Sequence, residues 1–115
     1  MKIIAEYLPE RIPPLLRLYI HYAPHRRQHR AVIQKYREAL VKACEEANIP
    51  LPISHKIELW VLYINPCSED YDNLTVALWR ALDGKTLDGP SVLTDDKLVV
   101  WCSGGSYFPQ GEPGR

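Results

Sequence analysis

Residues 57–64 read Ile-Glu-Leu-Trp-Val-Leu-Tyr-Ile, and in extended chain they put apolar groups on both sides. Ile57, Leu59, Val61 and Tyr63 alternate onto one face, and Trp60, Leu62 and Ile64 onto the other. Such a segment is poorly suited to a wet edge; it reads as a central strand with neighbours on either side. The rest of the 115 residues must be arranged around it. At this length folding buries about two-thirds of the unfolded surface, so one core is enough without a disulfide staple. A single domain over residues 1–115 is expected.

Two segments carry helical spacing. From 30 to 47, Ala31, Ile33, Tyr36, Leu40, Ala43, Cys44 and Ala47 recur near a period of 3.6, and Asn48, Pro50 and Pro52 close the run. From 73 to 83, Leu74, Ala77, Leu78, Ala81 and Leu82 make one apolar stripe. Asp72 or Asn73 is the expected N-cap, and Gly84 the C-terminal cap. Residues 2–8, 15–22 and 97–101 read as further strands, and Ser103 onward as a loop or frayed tail to residue 115. Strands grouped around two helices without strict βαβ alternation predict an α+β fold, a mixed β-sheet with both helices packed on it.

Composition excludes several classes. Apolar residues at 46% and charged ones at 24% argue against disorder. No run approaches the roughly 18 apolar residues of a membrane span. Charge arrives at Lys2 and Glu6, too early for a secretion signal, so a cytoplasmic protein is expected. Cys44, Cys67 and Cys102 form no C-x-x-C pair and fit reduced thiols, with Cys44 and Cys102 in apolar segments. Ser103-Gly104-Gly105-Ser106 lacks the lysine of a phosphate loop and does not precede a helix. His21, His25 and His29 are four apart, but Pro24 interrupts the helix that would align them on zinc.

The net charge of zero hides a segregation. Residues 1–60 hold ten Lys/Arg against six Asp/Glu, and residues 61–115 hold four against eight. The most basic window, His25-Arg26-Arg27-Gln28-His29-Arg30, suits phosphate contacts through Arg26, Arg27 and Arg30; Lys35 and Arg37 adjoin it on the first helix. The acidic half has two clusters, Asp70-Tyr71-Asp72 and Asp95-Asp96. If the last strand pairs beside residues 57–64, the clusters could meet at one end of the sheet. Converging carboxylates need neutralising, and a hard divalent cation does so while activating water against a phosphodiester. The plain alternative is that Asp72 caps a helix and the carboxylates are surface groups of a small protein-binding module.

Asp70-Tyr71-Asp72-Asn73-Leu74, then Ala77, Ala81-Leu82-Asp83-Gly84, then Thr94-Asp95-Asp96-Lys97-Leu98-Val99, resembles the RusA family of Holliday junction resolvases. The likeness covers roughly residues 57–101. It implies a RusA-like fold and an endodeoxyribonuclease that needs Mg²⁺, with Mn²⁺ as a substitute. It further implies a homodimer that nicks branched DNA in pairs, most of all four-way junctions, with no small-molecule cofactor. Its catalytic, metal-holding carboxylates correspond to Asp70, Asp72 and Asp96. The family's helix lysine is replaced by Val76, so Arg80, one turn on, or Lys97 is the candidate cation for the phosphate. The substitution at Val76 supports a second expectation, a DNA-binding protein of the same fold that cuts weakly or not at all. The resemblance implies a location beside the nucleoid, or in a host's cytoplasm for a phage protein.

Overall fold

The computed structural model describes residues 1–25, 28–67, 70–83, 85 and 87–109. Four strands form one sheet in the order β1 (Lys2–Leu8), β2 (Leu15–His21), β3 (Ile57–Ile64), β4 (Val99–Tyr107). Helix α1 (Arg30–Glu46) lies between β2 and β3 in sequence, and α2 (Tyr71–Asp83) between β3 and β4. The class is α+β with a mixed sheet and two helices, and β3 is an interior strand as its two-faced apolar pattern predicts.

The connectivity is more regular than the sequence suggests. β1 and β2 pair antiparallel across the proline-rich segment that follows Leu8. β2 with β3, and β3 with β4, pair parallel, so α1 and α2 are crossovers of two successive βαβ units. The last strand also differs. A 3₁₀ turn at Asp96–Leu98 precedes it, and it runs on through Tyr107, so residues 103–107, expected as loop, are strand. Glycines 104 and 105 hid it, because strand propensity is low where glycine replaces a side chain. Gly104 has φ 141°, and a Cβ there would lie 1.7 Å from the Val61 carbonyl oxygen, so only glycine fits against β3.

The helices cover one face of the sheet. Leu16, Leu18 and Ile20 of β2 and Ile57, Leu59, Val61 and Tyr63 of β3 are fully buried there. They meet Ile33, Tyr36, Leu40 and Cys44 of α1 and the whole predicted stripe of α2. Ala31 and Ala47, expected on the inner side of α1, are exposed, and Arg37 and Val41 are buried instead. Asn48, with φ 58°, ends α1 in the left-handed conformation, and the Ile49 N–H donates back to the Cys44 carbonyl. The opposite face carries Arg17, Tyr19, Trp60, Leu62 and Ile64, all half-buried. There Trp60 meets Tyr19 edge-on at 5.5 Å and lies under the Arg17 guanidinium. Trp79 is half-buried, and Trp101 is 65% exposed. Among the described residues no helix is long and apolar enough to cross a membrane.

Candidate functional site

The parallel sense of β3 and β4 decides where the acidic clusters lie. Ile57 pairs with Val99 and Ile64 with Tyr107, so the two strands start at the same end of the sheet. Asp70 follows the end of β3, whereas Asp95 and Asp96 precede the start of β4. The last strand does pair beside β3, yet the clusters sit at opposite ends of the sheet and of α2. At 1.5 Å per residue, about 16 Å of helix axis separates Asp72 from Asp83. The Asp96 N–H donates to Asp83 Oδ2 at 3.3 Å, which fixes Asp96 at the far end. Ligand oxygens on one Mg²⁺ lie at most roughly 4.2 Å apart. Asp70, Asp72 and Asp96 therefore do not share a cation within one chain, contrary to the expectation from their order in sequence.

Asp70 is engaged by the helix it precedes. Its Oδ1 accepts from the N–H of Asp72 at 3.0 Å and of Asn73 at 3.4 Å, and its Oδ2 accepts from the Asn73 amide at 2.8 Å. It is the N-cap of α2, the part expected of Asp72 or Asn73. Asp72 stands exposed in the first turn, where the positive end of the helix dipole favours a carboxylate.

The other end of α2 gathers what the sequence scattered. One carboxylate oxygen each from Asp83, Asp95 and Asp96 lies within 4.8 Å of the others. Asp83 is the last residue of α2, so its charge faces the negative end of the helix dipole. Asp95 caps the 3₁₀ turn, accepting from the Lys97 N–H at 2.9 Å. That bond, helped by Lys85, holds its carboxyl below the ordinary aspartate range. Asp96 is pushed the other way, first by partial burial and then by the charge of Asp83. Lys85 Nζ bridges the pair, 3.3 Å from Asp95 and 3.7 Å from Asp83, and is itself raised by Asp95. Beside them runs an open cleft lined by Val76, Trp79, Arg80, Asp83, Lys85 and Asp96. Three carboxylates share this corner with the Lys85 ammonium and the Arg80 guanidinium, and their oxygens are of the type that a hard cation takes alongside water.

Of the residues the sequence singled out, Asp96 and Arg80 share this cleft, and Lys97 adjoins it in the turn. Asp83 and Lys85 were missed, because Asp83-Gly84 reads as an ordinary turn. The available signal was that an acidic residue ends a helix, against the dipole. Gly84 and the pair Arg26 and Arg27 lie outside the described residues. Arg30 pairs with Asp88 at 3.4 Å on the surface. Arg37 is 2% exposed and donates to the Asp88 carbonyl at 3.1 Å, so it ties α1 to the loop after α2 and is not open to a nucleic acid. Lys35 is exposed on α1. The N-terminus of α1 has no side-chain cap from His29 and no acid in its first turn. It lies at the Asp70 end, where the Tyr22 N–H meets the Ile64 carbonyl and the Cys67 N–H meets the Ala23 carbonyl.

Comparison of the chain with models of known families, with curated proteins and with solved structures finds no match in any of the three.

Proposed function

We propose that the protein is a divalent-cation-dependent endodeoxyribonuclease of RusA type, acting on branched DNA, with its cation at the C-terminal end of α2. The observation that carries this reading is the convergence of Asp83, Asp95 and Asp96 beside a cleft that also holds Arg80 and Lys85. Carboxylates would hold Mg²⁺ or Mn²⁺, which supplies a metal-bound water and charge stabilisation at a phosphodiester. Arg80 and Lys97 are the cations for the phosphate oxygens, and Lys85 keeps the carboxylates from repelling one another. The resemblance of the D-x-D-N-L and D-D segments supplies the substrate class, and paired nicks call for a dimer.

A second reading is a protein of the same fold that binds DNA without cutting it. Two observations favour it: Asp70 is spent as a helix cap, and Val76 offers no charge in the middle of the cleft. The N-terminus of α1, which takes no side-chain cap from His29 and follows the basic window in sequence, suits phosphate oxygens in that case. Incubating the chain with a synthetic four-way junction, with and without Mg²⁺, separates the readings. Mg²⁺-dependent nicks that vanish in Asp96→Asn support the nuclease. Junction binding with no nicks under any divalent cation supports the second reading, and neither binding nor nicking rejects both.

A further inference from the structure

Among the described residues nothing covers the outer edge of β4 with a paired strand. Val99–Tyr107 reads Val-Val-Trp-Cys-Ser-Gly-Gly-Ser-Tyr, with no charge and no proline over nine residues. Val100, Trp101 and Tyr107 are exposed at 49%, 65% and 54%. Edges of this kind are normally blunted by charge or proline, because a row of open N–H and C=O groups recruits another strand. The other edge of the sheet is blunted: β1 carries Lys2 and Glu6, and Pro9 follows it.

We propose that β4 pairs antiparallel with β4 of a second copy of this chain, about a two-fold axis at Gly104, to give one continuous sheet. The strand is self-complementary about that residue. Ser103 mirrors Gly105, Cys102 mirrors Ser106, and Trp101 mirrors Tyr107. A two-fold contact requires this, since each residue must suit its own image's partner. The hydrogen-bond parity agrees. The Tyr107 carbonyl accepts from Asn65 at the β3 side, so residues of odd number point their backbone groups at β3. Cys102, Gly104 and Ser106 then point theirs outward, and these are the residues the axis sets opposite one another. Trp101 faces the partner's Tyr107 as a non-hydrogen-bonded pair, the arrangement that brings side chains closest. Both rings lie on the sheet face that the helices leave open, since Trp101 pairs with Glu58 and Tyr107 with Ile64. A neutral edge meets its own copy without repulsion, which a charged strand could not do.

This inference names the partner that paired nicking calls for, and its experiment reads mass, not cleavage, so the two can fail separately. Sedimentation equilibrium of the full chain is expected to give twice the 13.2 kDa chain mass. Trp101→Lys with Tyr107→Lys places like charges opposite each other twice and should weaken the dimer by about ten-fold or more. Trp101→Lys with Tyr107→Glu places opposite charges there and should restore most of the loss. Ser106→Pro removes an outward N–H while leaving the bonds to β3 alone, and it should also yield monomer. Circular dichroism confirms that each variant is folded. A wild-type chain that stays monomeric at up to about 1 mM would overturn the proposal. So would a dimer unaffected by both the double-lysine and the proline variants.

Discussion

The two ends of α2 treat their carboxylates in opposite ways. At the N-terminus Asp70 accepts three hydrogen bonds from the chain that follows it, and Asp72 lies where the dipole favours negative charge. At the C-terminus Asp83 opposes the dipole, and Asp95 and Asp96 crowd it, with Lys85 bridging Asp83 and Asp95 and Arg80 in the same cleft. The same residue type accepts backbone hydrogen bonds at both ends, but only at the C-terminal end does it also bring three carboxylates together among the described residues. The D-x-D at the start of the helix thus serves the fold through the Asp70 cap, and the cation of the proposed reading is placed at the far end.

The largest expected effect tests that contrast by activity. If the cation sits at the C-terminal end, Asp96→Asn should lower junction nicking by about 100-fold or more, since even outer partners of metal ligands cost 10–100-fold. Asp70→Asn keeps the cap and should retain most activity. The reverse outcome would move the catalytic centre to the Asp70 end and break the comparison.

Stability gives the next test. Asp70→Ala should cost about 1 kcal/mol in urea unfolding, through loss of the cap. Asp70→Asn should cost a few tenths of that, because asparagine caps as well as aspartate does. Asp83→Asn should be close to neutral without divalent ions, because relief from the dipole and two like charges is offset by loss of the Lys85 ion pair and of charge on the acceptor for the Asp96 N–H. Equal losses at the two positions would show that the ends do not differ.

A smaller effect concerns Lys85. Lys85 is exposed, so water screens its charge, and it competes only weakly with an added ion for the Asp83 and Asp95 oxygens. Lys85→Ala should therefore tighten Mn²⁺ binding a few-fold by calorimetry, while Asp70→Asn leaves it unchanged. Weaker Mn²⁺ binding in Lys85→Ala would mean that the lysine holds the carboxylates in place more than it competes with the ion.

How much of this was legible in the sequence follows from what each pattern encodes. The stripe Leu74, Ala77, Leu78, Ala81, Leu82 is local, one helix facing one core, and every member is buried. The two-faced pattern of 57–64 likewise fixed β3 as interior. Strand direction is not local. Nothing in Asp95-Asp96 states that the following strand runs parallel to β3, and that sense alone parts Asp96 from Asp70. Arg37 was unreadable for a similar reason: its burial depends on the Asp88 carbonyl, 51 positions away along the chain. Residues 103–107 misled because Gly104 is dictated by close approach to Val61, a contact no propensity reports.

The smallest effect is in the pH dependence of stability, where Asp95 and Asp96 have opposite signs. Asp95 has its carboxyl lowered below the ordinary 3.8 by the Lys97 N–H and Lys85. Its contribution is present above that value and is lost as pH falls through the lower, folded one. Asp96 has its carboxyl raised above 3.8 by partial burial and by Asp83. The folded chain holds that proton more tightly than the unfolded chain does, so ionising Asp96 costs stability as pH rises from 3.8 through the folded value. Melting temperatures taken across this window should therefore show a small destabilising step above pH 3.8 that Asp96→Asn removes. A divalent ion binds the ionised form, so Mg²⁺ should flatten or reverse the step in the wild-type chain and leave Asp96→Asn unchanged. Asp70→Asn should keep both the step and its response to Mg²⁺. A step that Mg²⁺ leaves in place would mean that the crowding at the C-terminal end of α2 is relieved by the proton alone, and the cation would lose its seat there.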